Sequence, residues 1–405
     1  MRVGEPDLKA IIVGGGIGGL TAALCLHAQG IDVDVLEQSP ELGEVGAGIQ
    51  LSPNAMRVFE QLGLAGDLIA AGFVPRAIDL RMGESGLDLI SAPLADVAEE
   101  RWGAPYVHIH RADLLEVLST AVEARIPGAV KLGFAATHYE CVEGGICVRD
   151  EHGNEIAGDV VIGADGIHSV VRVQMLGPDA PTFTGNVAWR AVVPVDRLGA
   201  DAPDPVVCAW MGRGKHAVTY RLRGGKLANL VAVVERDDWK LESWSEPGDK
   251  SEALQDFEGW HPTIVKMLSE ADTLYRWALF DRAPLPSWST DRVALMGDAA
   301  HPMLPFMAQG AAMAIEDAWV LGAALAAQQD IPTALQTYET LRKPRATRVQ
   351  AGSRANAKRF HHRSLFGRLT TYGPMWLAGR VAPKIGLAQQ DWVYSYDVLK
   401  DASSL

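Results

Sequence analysis

The sequence predicts an α/β fold: a GxGxxG-type, Rossmann-like dinucleotide-binding domain, an inserted and mostly antiparallel β-sheet, and a C-terminal helical region. Three observations predict it. An apolar strand near the N-terminus runs into Val13-Gly14-Gly15-Gly16-Ile17-Gly18-Gly19-Leu20. Two remote apolar strands end in Gly/Asp turns, Ile162-Gly-Ala-Asp165-Gly166 and Ala294-Leu-Met-Gly297-Asp298. Between those turns lie several β-rich runs.

Residues 9–13 are apolar on both sides, the pattern of a strand buried inside a parallel sheet. The glycines at 14, 16 and 19 match GxGxxG. Gly14 permits the tight turn, Gly16 lets backbone approach a pyrophosphate, and Gly19 lets the next helix sit close to the strand. That helix is expected over 17–29, with Gly30 as its C-cap. Residues 31–37 alternate into a second strand that ends in Glu37, 23 positions after Gly14. A carboxylate at that distance hydrogen-bonds an adenosine ribose. The unit by itself does not separate NAD from FAD.

Composition narrows the class. The chain has 405 residues, 48% of them hydrophobic and 21% charged, which allows two or three domains with a sizeable core. A net charge of −13 argues against nucleic acid or an anionic membrane as partner, but not against an anionic small molecule in a locally positive pocket. Cys25, Cys141, Cys147 and Cys208 show no CxxC spacing and read as mostly buried thiols in a reducing compartment. The first apolar run is broken by glycines and lacks a basic leader, and no run of 18 apolar residues is available to span a membrane. A cytoplasmic protein is expected.

The remaining motifs point to FAD. Gly46-Ala47-Gly48-Ile49 lets backbone lie against a flat ring system, and Ser52-Pro53-Asn54 starts a helix running through Val58 and Leu62. Arg111 follows His108-Ile-His110 at the start of another helix, placed either to pair with a phosphate or to sit at the surface. The two histidines share a strand face without an acidic or thiol neighbour, so no metal site is expected. Asp298 stands between a strand and a helix start, suited to accept hydroxyl bonds from a ribityl chain. Pro305-Phe306-Met-Ala-Gln309-Gly310-Ala311 leads into a helix whose positive end suits an anionic flavin. Asp165 also fits a plain turn residue, and Asp317 a solvated helix charge.

With these residues in order, the chain resembles the single-component (class A) FAD-dependent aromatic hydroxylases. The branch is similar to the salicylate hydroxylase, 3-hydroxybenzoate hydroxylase and 6-hydroxynicotinate monooxygenase group. The resemblance spans nearly the whole chain, from GxGxxG through Gly163-Ala-Asp165-Gly166, Ser169 and Arg172, Gly297-Asp298-Ala-Ala-His301-Pro302, and Ile315-Glu316-Asp317-Ala318, to the tail Asp391-Trp392-Val-Tyr394-Ser-Tyr396-Asp397. It implies a monooxygenase of aromatic compound degradation, using NADH or NADPH and O2. A flavin hydroperoxide would transfer OH to the ring of a small aromatic hydroxy-acid. Glu37 and Arg111 would hold the adenosine and phosphate portions of FAD, and Asp298 the ribityl-pyrophosphate region. Gly46, Ala47, Gly48, Gly310 and Ala311 would border the isoalloxazine. Asp165 would serve both FAD and the nicotinamide donor, which has no second GxGxxG of its own.

The inserted sheet is expected over 181–285, joined by strands from 73–95, as a roof over the flavin's ring end. His216 and Tyr220, four apart on one strand, point to the same face and suit a phenol-binding proton relay. The same spacing also fits amphipathic packing. Gln50 and Phe306 stand where the 6-hydroxynicotinate enzymes carry histidines, which favours a benzenoid acid over a pyridine. Gln50, Pro305 and Phe306 are expected beside the substrate. Arg190 or Arg81 could meet its carboxylate, or each could be structural. FAD-binding parts are expected over 1–72, 96–180 and 286–332, and helices over 333–405. The basic row Arg342, Lys343, Arg345, Arg348, Arg354, Lys358, Arg359 and Arg363 reads as a solvated helix face balancing acidic neighbours or as a dimer contact, in a monomer or homodimer. Other readings are an epoxidase or a hydroxylase of a larger polycyclic or heteroaromatic substrate, and a redox flavoprotein without hydroxylation. A plain NAD dehydrogenase would leave the Asp165 and Asp298 turns unexplained.

Overall fold

Ala10, Ile11 and Ile12 have no exposed surface, because the strand they form lies in the middle of a five-stranded parallel sheet. The computed structural model describes residues 8–43, 47–236, 248–328, 330–361, 364–381, 385–403 and 405. In spatial order the parallel strands are Val293–Leu295, Val160–Gly163, Lys9–Val13, Asp32–Glu37 and Val130–Leu132. The three remote turns of the sequence therefore leave neighbouring strands at the same edge. Ala164 donates its N–H to Val13 O at 2.8 Å, and Met296 donates to Gly163 O at 3.0 Å. The buried Arg172 guanidinium then ties two turns together, donating to Ile167 O at 2.6 Å and Ala299 O at 3.2 Å.

The helix Ile17–Ala28 packs against the helix Gly310–Ala327. Gly322 permits their close approach, since a Cβ there would fall 3.2 Å from Cys25 O. Gly310–Ala327 is long and apolar enough to cross a membrane, but most of it lies inside the protein. None of the four cysteines is in a disulfide, and all but Cys141 are buried.

Strand-forming runs from 77 to 281 make a second, seven-stranded sheet. Its order is Tyr275–Asp281, Thr182–Pro194, Leu227–Glu235, Lys215–Leu222, Val207–Met211, Ala77–Met82 and Asp88–Pro93. All neighbours are antiparallel except Ala77–Met82 beside Val207–Met211. One face, with Trp189 and Trp210, packs on Phe257, Trp260 and Ile264 from the following helical segment. The opposite face carries Ala188, Arg190, His216, Val218, Tyr220, Asn229 and Val231 and turns toward the parallel-sheet layer. Period-2 alternation decides this division. A small three-stranded ribbon (136–158), which no motif signals, flanks the parallel sheet.

The basic helix Ile331–Phe360 corrects the solvated-face expectation at Arg342 and Arg345, while Arg348 and Arg359 are exposed and Arg363 lies outside the described residues. Arg342 is fully buried and Arg345 nearly so, rather than solvated or at a dimer face. The reason is Glu316 and Asp317 on the facing helix, both also without exposure, so Asp317 is no solvated charge either. Arg342 pairs with Glu316 at 2.7 Å and Asp317 at 2.8 Å, and Arg345 adds a bidentate bond to Glu316. His301 Nε2 meets Asp317 Oδ2 at 2.5 Å. Burial pushes Asp317 upward, but His301 and Arg342 outweigh it and hold the carboxyl down to about 2. The tail motif clamps this assembly. Arg345 stacks on the Tyr396 ring at 3.6 Å, Arg57 donates to Tyr394 O and Tyr396 O, and Asp391 receives Arg101 and Trp102.

Breaking a buried pair leaves an uncompensated charge, so Arg342→Met should lose about 3–5 kcal/mol of stability in denaturant unfolding. Because the folded Asp317 titrates below its ordinary value, its stabilisation is complete above about pH 4 and lost as pH falls through about 2. Tm measured against pH should therefore show a shallower acid limb in Asp317→Asn than in the parent.

Candidate active site

Gly14 has φ +109°, and a Cβ on it would fall 2.5 Å from Ala164 O, so only glycine lets the first and second turns touch. Gly16 is the N-cap of Ile17–Ala28 without a side-chain cap, and the space around its Cα is open. Gly19 lies against Gly14 O and Ile12, which sets the helix close to its strand. Glu37 accepts Gly15 N–H at 2.7 Å and Ser39 N–H at 2.8 Å, so its carboxylate already shapes the loop. Asp165 accepts Ser169 Oγ at 2.5 Å and Val171 N–H at 3.2 Å, while burial raises its pKa against these bonds. It is more than a solvated turn residue.

The third turn supplies an exposed carboxylate. Asp298 is exposed, and its Oδ1 lies 4.0 Å from where a Gly310 Cβ would stand. Gly310 and the half-buried Ala311 begin a helix whose N-cap, Gln309, makes no side-chain cap bond. Gln309 instead donates to Ser52 Oγ at 2.9 Å and accepts from Asn54 at 3.1 Å, and Asn54 also donates to Glu316. Two helix N-termini without side-chain caps, an open Gly16 and an exposed Asp298 thus line one edge of the parallel sheet. That set fits a pyrophosphate with hydroxyl-bearing chains, as FAD has. Arg111 opens the helix Arg111–Arg125 and donates its backbone N–H to Ala47 O at 3.0 Å. Gly46 lies outside the described residues. Ala47 is buried, and Gly48 donates to Asn229 Oδ1 at 2.8 Å.

Gly48 also joins the two layers. A Cβ on it would meet Tyr220 Cε2 at 2.5 Å, so the Tyr220 ring rests on bare backbone. Tyr220 touches the His108 ring at 4.7 Å, and His108 itself is fully buried among Phe73, Tyr106 and Tyr220. Gln50 is turned to Tyr106, whose hydroxyl donates to its Oε1 at 2.5 Å. At the other end, Phe306 of the short turn Pro305–Met307 packs on the His216 ring at 5.3 Å. His216 and Tyr220 share the face but are about 13 Å of strand apart at roughly 3.3 Å per residue. They do not form one hydrogen-bonded pair. Burial raises the Tyr220 hydroxyl, while burial and then His361 hold His216 well below the usual range.

The two arginines separate. Arg81 is held by Asp79, Asp88 and Asp204 and is structural. Arg190, beside Tyr220 on the inward face, lies over the Trp277 ring at 3.8 Å and pairs with no carboxylate among the described residues. Burial, followed by the like charge of Arg111, pulls it down to about 10 despite Tyr220. Sequence reasoning missed His361 and Glu235. His216 Nδ1 meets His361 Nε2 at 2.6 Å, and His361 Nδ1 meets Glu235 Oε1 at 3.0 Å. They stand 145 and 126 residues apart in the chain, and no local spacing announces them.

Comparison with known proteins places the chain in a family. Residues 7–353 match the family model described as FAD binding domain. The chain is 41% identical over 354 residues to a 3-amino-4-hydroxybenzoate 2-monooxygenase of Streptomyces platensis, covering 87% of this chain and 88% of that one. It is 38% identical over 397 residues to a 3-hydroxybenzoate 6-hydroxylase of Polaromonas naphthalenivorans, covering 97% of both. The crystal structure of Klebsiella pneumoniae HpxO complexed with FAD and uric acid superposes with a TM-score of 0.82 at 29% identity, covering 92% of this chain and 94% of that one. Purified Asp298→Ala should therefore carry markedly less flavin per chain than the parent, read from the visible absorbance after gel filtration; equal flavin content would remove Asp298 from the site. The chain belongs to the FAD binding domain family, among its FAD-dependent aromatic monooxygenases.

Proposed function

We propose that this protein hydroxylates a small aromatic hydroxy-acid, with NADH or NADPH and O2 as co-substrates. The observation that carries the reading is Arg190. It is a cation without a carboxylate partner among the described residues, on the same sheet face as His216 and Tyr220. Leaving a charge poorly solvated is costly, and an anionic ligand relieves that cost. A carboxylate on Arg190 would orient the ring, with Trp277 behind the guanidinium. In this reading segments 1–72, 96–180 and 286–332 hold FAD, and segments 73–95 and 181–285 hold the substrate.

The two titratable groups then take opposite roles. His216 is neutral at physiological pH, so it accepts the phenol proton and makes the ring electron-rich. Tyr220 stays protonated and donates a hydrogen bond. Phe306 and the Gly48 backbone exclude water from the two ends. Bound FAD supplies the redox chemistry, taking hydride from NAD(P)H and activating O2 for transfer of one oxygen atom. Phe306 beside His216 makes that end apolar, which favours a benzenoid ring over a pyridine.

A panel of aromatic acids should contain one that accelerates NAD(P)H oxidation and gains a single ¹⁸O from ¹⁸O2. A chain whose NAD(P)H oxidation ignores every acid, or whose products carry no label, is not such a hydroxylase. His216→Ala and Tyr220→Phe should keep their flavin and lose roughly 10²–10⁴-fold in turnover. Arg190→Met removes a charge-assisted bond and should raise KM for the acid about 10- to 100-fold with a smaller effect on kcat.

A further inference from the structure

A proton taken by His216 needs a way out. The side chain has almost no exposure, and the Phe306 and Phe360 rings lie 5.3 and 5.2 Å away. Tyr220 offers no path, being a full four residues along the strand and turned to His108 and Gly48. The His216 side chain makes one hydrogen bond among the described residues, through Nδ1 to His361 Nε2 at 2.6 Å. His361, also nearly buried, makes its next contact through Nδ1 to Glu235 Oε1 at 3.0 Å. Glu235 ends the strand Leu227–Glu235 with 27% of its side chain exposed.

We propose that His361 and Glu235 are positioning residues that act through His216, forming a buried line along which the substrate's proton leaves the site and returns to it. This rests on the reading of His216 as the proton acceptor. The tautomers follow from the two bonds. A Glu235 carboxylate fixes the proton of His361 on Nδ1 and leaves Nε2 as an acceptor. His216 must then carry its own proton on Nδ1, which leaves Nε2 bare as the atom that accepts the phenol proton in this reading.

The transfer balances atom by atom. As the phenol O–H breaks, an N–H forms at His216 Nε2. The His216 Nδ1 proton passes to His361 Nε2, and the His361 Nδ1 proton passes to Glu235, at the edge of solvent. One proton has moved and both rings are neutral again, each in its other tautomer. The reverse passage reprotonates the product and restores the starting state. Without His361 the His216 ring could rest in either tautomer, and the one with Nε2 protonated cannot accept.

The test uses the FAD-loaded enzyme and, as probe, the phenolic acid that most accelerates NADH oxidation among 3-amino-4-hydroxybenzoate, 3-hydroxybenzoate and salicylate. Stopped-flow absorbance of the probe's phenolate band follows its ionisation on binding. His361→Phe, which keeps a ring of similar size, should slow the appearance of phenolate by at least roughly 10²-fold while KM changes little. Added imidazole should recover part of the rate. Glu235→Gln should slow it less, and it carries the test alone should the His361 variant fail to fold. Phenolate appearing at the parent rate in Glu235→Gln and in any folded His361→Phe, while His216→Ala is slowed, overturns this proposal and leaves the proposed function intact. Phenolate appearing at the parent rate in His216→Ala removes the proton-acceptor reading and this proposal with it.

Discussion

Two fully buried carboxylates side by side, Glu316 and Asp317, hold the molecule in register. Each is tolerable only because a guanidinium meets it, and each spends its remaining lone pairs on the site. Asp317 accepts the Gly297 N–H at 3.0 Å and thereby fixes the turn that presents Asp298. Glu316 accepts from Asn54 at 2.7 Å, and Asn54 and Ser52 in turn hold Gln309 just before the Gly310 helix. One acidic pair in the middle of an apolar helix thus sets the positions of the two segments that carry the proposed flavin contacts. Arg342, Arg345 and the Tyr396 ring then close the pair off from solvent.

The same burial produces opposite chemistry at the two ends of one strand. Desolvation disfavours whichever form is charged. For Tyr220 that form is the phenolate, so the group is kept as a donor; for His216 it is the imidazolium, so the group is kept as an acceptor. No separate device is needed to keep one a donor and the other an acceptor. What differs between them is the neighbourhood: bare Gly48 backbone and a tyrosine–histidine cluster at one end, and a second imidazole with a carboxylate behind it at the other.

Much of this was legible in the sequence where a local rule operates. GxGxxG between a strand and a helix, strands ending in Gly/Asp turns, and alternation over 186–235 each encode backbone geometry within a few residues. Pairing across distance was not legible. The basic row from Arg342 onward looked like a solvated face because helix periodicity cannot say what faces a charge. Its partners, Glu316 and Asp317, lie on the preceding helix, and their burial depends on packing that no window contains. His361 was hidden for the same reason, in a stretch whose composition is that of an ordinary basic helix. Arg81 and Arg190 looked equivalent until three carboxylates were found around the first and an indole beneath the second.

The order of strands in the parallel sheet has a consequence for biosynthesis. Lys9–Val13, made well before its neighbour, sits beside Val160–Gly163, and that strand waits for Val293–Leu295. Loop closure over such separations is slow, and an unfilled sheet edge invites wrong partners. Until residue 299 has emerged, the parallel sheet lacks its third turn and Arg172 has no Ala299 carbonyl to grip. A cofactor held by all three turns would therefore be captured only after the third has been made, and flavin starvation in the cell would leave the sheet with an open seam.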